Sequence, residues 1–203
     1  MEPAPLPADP LQAALSGRGN TYDEKEVIAT LNQDRDWAGL LRFAEQQQRR
    51  DPESSDWGVV VGYARLRQRD YRTAAEVLSR VVQRNPEDIG AWNLFGESLR
   101  LAGQPGKAAQ TLERASIVGR TSYATFFLLG QAYRDANRLD RAAAAYRESA
   151  RLAPEFGRAW FELGSADARM GETKEAEEAL EVLRKVDPTM AEQLAGQIRA
   201  RAR

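Results

Sequence analysis

Four glycines, Gly62, Gly96, Gly130 and Gly164, stand at successive intervals of 34 residues. Four alanines, Ala74, Ala108, Ala142 and Ala176, keep the same step twelve residues later. Pro52, Pro86, Pro154 and Pro188 lie on the same lattice, and Arg120 is the one break in the proline series. Three residue types in step along most of a chain mean stacked supersecondary units. Each unit is too small to bury its own apolar face and is completed by its neighbours. Such a stack offers an extended surface to a partner without naming the partner.

The spacing within a block fixes the type of unit. Trp92, Phe95, Gly96 and Leu99 fall at i, i+3, i+4 and i+7, one stripe of a helix, and Ala108, Leu112 and Ala115 make a second stripe. Between them lies Ala102-Gly103-Gln104-Pro105-Gly106, a turn sequence, and the next blocks turn at Asn137 and Gly171. Each block is therefore helix, tight turn, helix. Glycine inside the first helix costs about 1 kcal/mol against alanine. Its recurrence predicts a close helix approach, with Gly130 set against Ala142. The lattice proline closes each block, because the residue before it is driven out of helical conformation.

Read as motifs, the blocks are Trp92-x2-Phe95-Gly96-x2-Leu99 with Ala108-x3-Leu112, then Phe126-x2-Leu129-Gly130-x2-Tyr133 with Ala142-x3-Tyr146 and Pro154. Trp160-x2-Leu163-Gly164 follows, with Ala176-x3-Leu180 and Pro188; Val61-Gly62 with Ala74-x3-Leu78 and Pro86 is a weaker copy. This resembles the tetratricopeptide repeat, W-x2-L-G-x2-Y, then A-x3-F, then P. Arg65 and Asp167 depart from it where the family carries an aromatic, and Gly58 takes the first aromatic position with Trp57 beside it. The resemblance implies an all-α, right-handed α-solenoid with repeats over 55–88, 89–122, 123–156 and 157–190. A degenerate repeat over 21–54, carrying Trp37, Leu40 and Ala44, would precede them. A capping helix over 189–203, with Met190, Leu194 and Ile198 on one side, would follow.

In that family the first helices of successive repeats line a concave groove that receives a partner. The groove stripe should lie one residue, about 100°, from the core stripe. It reads Asp56, Val59, Tyr63 and Leu66, then Asn93, Glu97 and Arg100, then Phe127, Gln131 and Arg134, then Arg158, Phe161 and Ser165. Tyr63, Phe127 and Phe161 are expected to take apolar side chains, Asn93 and Gln131 to bond a peptide backbone, and Arg100 and Arg134 to pair with carboxylates. Asn93, Gln131 and Arg134 are expected to be exposed, whereas Trp37, Trp92, Phe126 and Trp160 read as core. The lysine and asparagine clamp of chaperone-binding members is missing, since Val59, Tyr63, Phe127 and Gln131 occupy its positions.

Composition narrows the function further. The 203 residues contain no cysteine and no histidine, which removes thiol and imidazole chemistry, disulfides and the usual zinc ligands. No metal, no cofactor and no catalysis are expected. Glu172, Glu175, Glu177, Glu178 and Glu181 read as a solvated helix face beside Lys174 and Lys185. A net charge of −1 gives no general attraction to nucleic acid or to an anionic membrane surface. No apolar run reaches the length of a membrane span. Arginine outnumbers lysine 25 to 4, which together with abundant alanine fits a bacterial source.

The expected function is thus a bacterial protein-interaction scaffold or adaptor, with self-association as a homodimer the alternative. Residues 1–20, with Pro3, Pro5, Pro7 and Pro10, read as a flexible leader ahead of a short helix through Leu11 and Leu15. The N-terminus lacks the basic and apolar segments of a secretory signal, so a cytoplasmic location is expected. A periplasmic one would require that a signal had been removed.

Overall fold

The computed structural model describes residues 11, 22–52 and 54–201. Among these, eleven helices follow one another and no strand occurs. They form two compact units, one ending at Gln104 and one beginning at Pro105. The first holds α1 (Tyr22–Gln33), α2 (Trp37–Arg50), α3 (Ser55–Arg67), α4 (Tyr71–Arg84) and α5 (Ile89–Leu101). The second holds α6 (Pro105–Val118), α7 (Tyr123–Asp135), α8 (Leu139–Leu152), α9 (Gly157–Met170), α10 (Thr173–Val186) and α11 (Pro188–Arg201). Within each unit, helices consecutive in sequence pack against one another.

The 34-residue lattice reappears in the backbone. Left-handed φ angles occur at Arg35 (57°), Arg69 (65°), Gly103 (77°), Asn137 (58°) and Gly171 (85°), one per block. They end the first helix of each pair and allow the tight turn into the second. Several helix starts are capped by an aspartate or serine side chain. Asp36 accepts from the Gly39 N–H at 2.8 Å, Asp88 from Ala91 at 3.0 Å, and Ser122 from Thr125 at 3.3 Å. The lattice prolines have a second role. Trp92 Nε1 donates to the Pro86 carbonyl at 2.8 Å, and Trp160 Nε1 to the Pro154 carbonyl at 2.9 Å. The block in which Arg120 replaces the proline also has Phe126, with no N–H to donate, in place of the tryptophan. These three aromatics are half-buried at the helix starts rather than deep in the core. Trp37 is also half-buried, packed against the core of the first unit.

First and second helices bury different fractions of their surface. Residues 57–64 of α3 are buried without a break, as are 127–133 of α7. Each of these helices packs on a second helix before it and a second helix after it. The second helices are one-sided: α4 buries Ala74, Ala75, Leu78, Val81 and Val82, and Arg72, Glu76 and Arg80 stay in water. α11 closes the second unit, with Ala191, Leu194 and Ile198 buried and Glu192, Gln193, Gln197 and Arg199 exposed. Of the leader, Leu11 alone is described. It is helical and buried in the core cluster of the first unit. The rest of the leader expectation lies outside the described residues.

The lattice glycines do mark close approaches, but not to the alanines. A Cβ on Gly130 would stand 2.5 Å from the Tyr146 ring, and one on Gly62 2.5 Å from Leu78 Cγ. The expected Gly130–Ala142 contact is thus corrected by one helical turn. A helical side chain leans toward its N-terminus and covers the turn before its own Cα, so Tyr146, not Ala142, lies over the glycine. Gly164 is overlain by Leu194 of α11 and by Ala179. Gly130→Leu forces the Tyr146 ring out of its site and is expected to lower stability by roughly 1–3 kcal/mol. An unchanged thermal midpoint would show that the ring can swing aside.

Candidate partner-binding site

The side chains read as a groove stripe fall into two groups, one in each unit. In the first unit, Tyr63 is buried, its hydroxyl 2.9 Å from Asn32 Oδ1 and its ring edge-on to Trp37 at 6.1 Å. The Arg67 guanidinium lies 4.7 Å above the Trp37 ring, a cation–π arrangement. Asn93 and Glu97 on α5 are buried as well. Glu97 accepts both arms of the Arg100 guanidinium, at 2.8 and 2.9 Å, a bidentate pair shielded from water.

In the second unit, Phe127 is 2% exposed and packs on Phe156 at 5.0 Å and Tyr146 at 5.7 Å. Arg158 stands 5.5 Å above its ring. Gln131 is buried. Arg134 remains partly open and bridges α7 to α9 through Glu162 at 2.8 Å. Arg158, Phe161 and Ser165 are half-exposed on α9, and Ser165 donates to Gln197 of α11 at 2.8 Å.

The expected exposure of Asn93 and Gln131 is therefore corrected, and so is the role of Tyr63, Glu97 and Phe127 as open anchors. The reason is geometric. α3 and α7 each lie between two second helices, and α5 touches α3 as well as α4, so a turn of about 100° away from one interface enters the next. What stays accessible is the edge of the stripe: Arg134, Arg158 and Phe161, with Arg67 and Trp37 added by the structure, while Arg100 is held against Glu97 and largely covered.

A second polar pattern was hidden in the sequence. Arg65 bonds Glu45 at 3.2 Å, Tyr133 donates to Glu113, and Asp167 faces Arg147 at 3.9 Å. Each pair is twenty residues apart and occupies the same lattice positions. The two departures from the family aromatic, Arg65 and Asp167, thus meet an oppositely charged residue on the preceding second helix. Asp167 is the least satisfied. It is 1% exposed, and neither carboxylate oxygen has a hydrogen-bond donor. Burial pushes its pKa up to about 6; Arg147 opposes that shift, and Glu172 and Glu175 add to it. In the unfolded chain the carboxyl titrates near ~3.9. The folded state therefore holds this proton more tightly, and the contribution of Asp167 to stability falls as pH rises from about 4 to about 6. Asp167→Asn is expected to stabilise the protein at pH 7.5 by roughly 1–3 kcal/mol. That gain should vanish at pH 4, as read from denaturant midpoints at both values.

A model of the tetratricopeptide repeat matches residues 62–121 and 127–191, together more than half of the chain. The chain belongs to the tetratricopeptide repeat family. No curated protein sequence matches it. Among solved structures, a tetratricopeptide stack of MamA, residue 41 to the end, from Desulfovibrio magneticus RS-1, is similar at 20% identity. It aligns over 82% of this chain and 94% of that one with a TM-score of 0.72. TTC0263, a thermophilic tetratricopeptide protein of Thermus thermophilus, is 17% identical over 87% of this chain and 97% of that one, with a TM-score of 0.65. YrrB is 16% identical over 93% and 98%, with a TM-score of 0.68. At these identities the likeness establishes the shared tetratricopeptide fold. Among the described residues no group of acidic side chains could hold a metal ion, and no helix is long and apolar enough to cross a membrane.

Proposed function

We propose that this tetratricopeptide protein is an interaction scaffold that holds a segment of a partner protein along its first helices, as an assembly or regulatory factor in a bacterium. Family membership supports the general role. The Arg134–Glu162 pair supports the location, because it joins the edges of two successive first helices, α7 and α9, into one surface. Arg158 and the half-open Phe161 flank that pair with a cation and an apolar ring. Aromatic and arginine side chains are the types that most often anchor an interface. YrrB, which shares the fold, is described as having an unusual peptide-binding site.

The experiment is affinity capture from the source cell with wild type and with the double variant Arg134→Ala/Phe161→Ala, each checked by circular dichroism. The partner recovered by wild type should be lost from the variant while helicity is kept. Equal recovery would refute the placement.

A further inference from the structure

A notch of about 220 Å³ opens in the second unit, and none of its lining residues belongs to the edge just described. Its walls come from α6, the end of α7 and the start of α8. Its size follows from three small residues, Gly106, Ala109 and Ala136. One block later the positions of Gly106 and Ala136 carry Asp140 and Met170. In the first unit the positions of Ala109 and Ala136 carry Leu41 and Gln68, and Arg65 reaches across to both Glu45 and Asp70. Only small side chains leave this space open, and a Cβ on Gly106 would meet nothing within 4 Å.

The rim is cationic. Arg138 is exposed, and its side chain makes no hydrogen bond or ion pair among the described residues. Arg141 stands over the Tyr133 ring, 5.7 Å from its centre, and 3.8 Å from Glu113. Glu113 is not a free anion, since it accepts the Tyr133 hydroxyl and faces Arg141. The charged side chains lining the notch, Glu113, Arg138 and Arg141, thus sum to one positive charge, beside a floor of alanine and tyrosine carbon, and Asp140 acts on Arg141 from outside the lining.

We propose that this notch is a second docking point, which takes the glutamate side chain of an acidic partner segment. The carboxylate would lie between Arg138 and Arg141, and its methylenes against Ala109, Ala136 and the Tyr133 ring. A guanidinium binds a carboxylate by charge-assisted hydrogen bonds and has no acceptor to offer a neutral amide in its place. In the following block the two rim positions are Glu172 and Glu175, which would repel the same ligand. The site is therefore not repeated in the block that follows.

The test uses the full chain, labelled with nitrogen-15, and three probes: acetyl-Ala-Glu-Ala-amide, its glutamine counterpart, and inorganic phosphate. The glutamate peptide should move the amide signals of Gly106, Ala109, Ala136 and Arg138, with a dissociation constant on the order of 1 mM. The glutamine peptide should not. Arg138→Ala should weaken binding at least about fivefold. Gly106→Met, which fills the notch from an unstrained helical position, should abolish it without lowering the thermal midpoint. Equal shifts from the glutamine peptide, shifts from phosphate alone, or shifts kept in both variants would overturn the proposal.

Discussion

Phe127→Ala is expected to lower the unfolding free energy by about 3–5 kcal/mol. The sequence alone points the other way, since the 34-residue lattice puts Phe127 on the stripe that faces a partner. The structure places its ring in a closed aromatic cluster with Phe156 and Tyr146, under the Arg158 guanidinium. Tyr146 is also the side chain that Gly130 makes room for. Truncation would leave a cavity beneath a ring already fixed on two sides, and such cavities collapse only partly. Chemical denaturation followed by circular dichroism reads the effect. A variant with an unchanged midpoint and lost partner capture would show that Phe127 faces outward after all.

Removing residues 188–203 should be at least as damaging. α11 seats Leu194 on Gly164 and covers the cluster of Ala179, Leu180 and Leu183. Each leucine transferred from water to a packed interior contributes about 1.5–3 kcal/mol. Loss of Leu194 and exposure of two more leucines should therefore cost several kcal/mol and leave an apolar face that aggregates. Deletion of residues 1–10 is the control. It removes four prolines and stops before the buried Leu11, so the midpoint should hardly move. Equal behaviour of the two truncations would contradict the capping role of α11.

The sequence carried the fold through its period, and the reason can be seen residue by residue. Gly103, Asn137 and Gly171 announce the left-handed turn because glycine and asparagine are the residues that tolerate it. Arg35 and Arg69 make the same turn and were not legible, since arginine carries no such signal and only their lattice positions betray them. Burial was harder to read. A stripe pattern separates one face from the rest only when a helix packs on one side, as α4 does. α4 meets both α3 and α5 with one face, whereas α5 and α7 are buried on several faces, so Asn93 and Gln131 are buried although in sequence they look like surface. The anomalies at Arg65 and Asp167 were visible as departures from the family aromatic. Their partners Glu45 and Arg147, twenty residues earlier, could be found only by asking which preceding second helix each one meets.

The most direct measurement of the central claim is site-specific photo-crosslinking in the source cell. A photoreactive phenylalanine is placed at position 134 or 161, on the edges of α7 and α9, or at position 178, on the exposed face of α10. A scaffold that holds its partner along the first helices gives the same partner adduct from 134 and from 161, and none from 178. An adduct from 178, with none from 134 and 161, would contradict it.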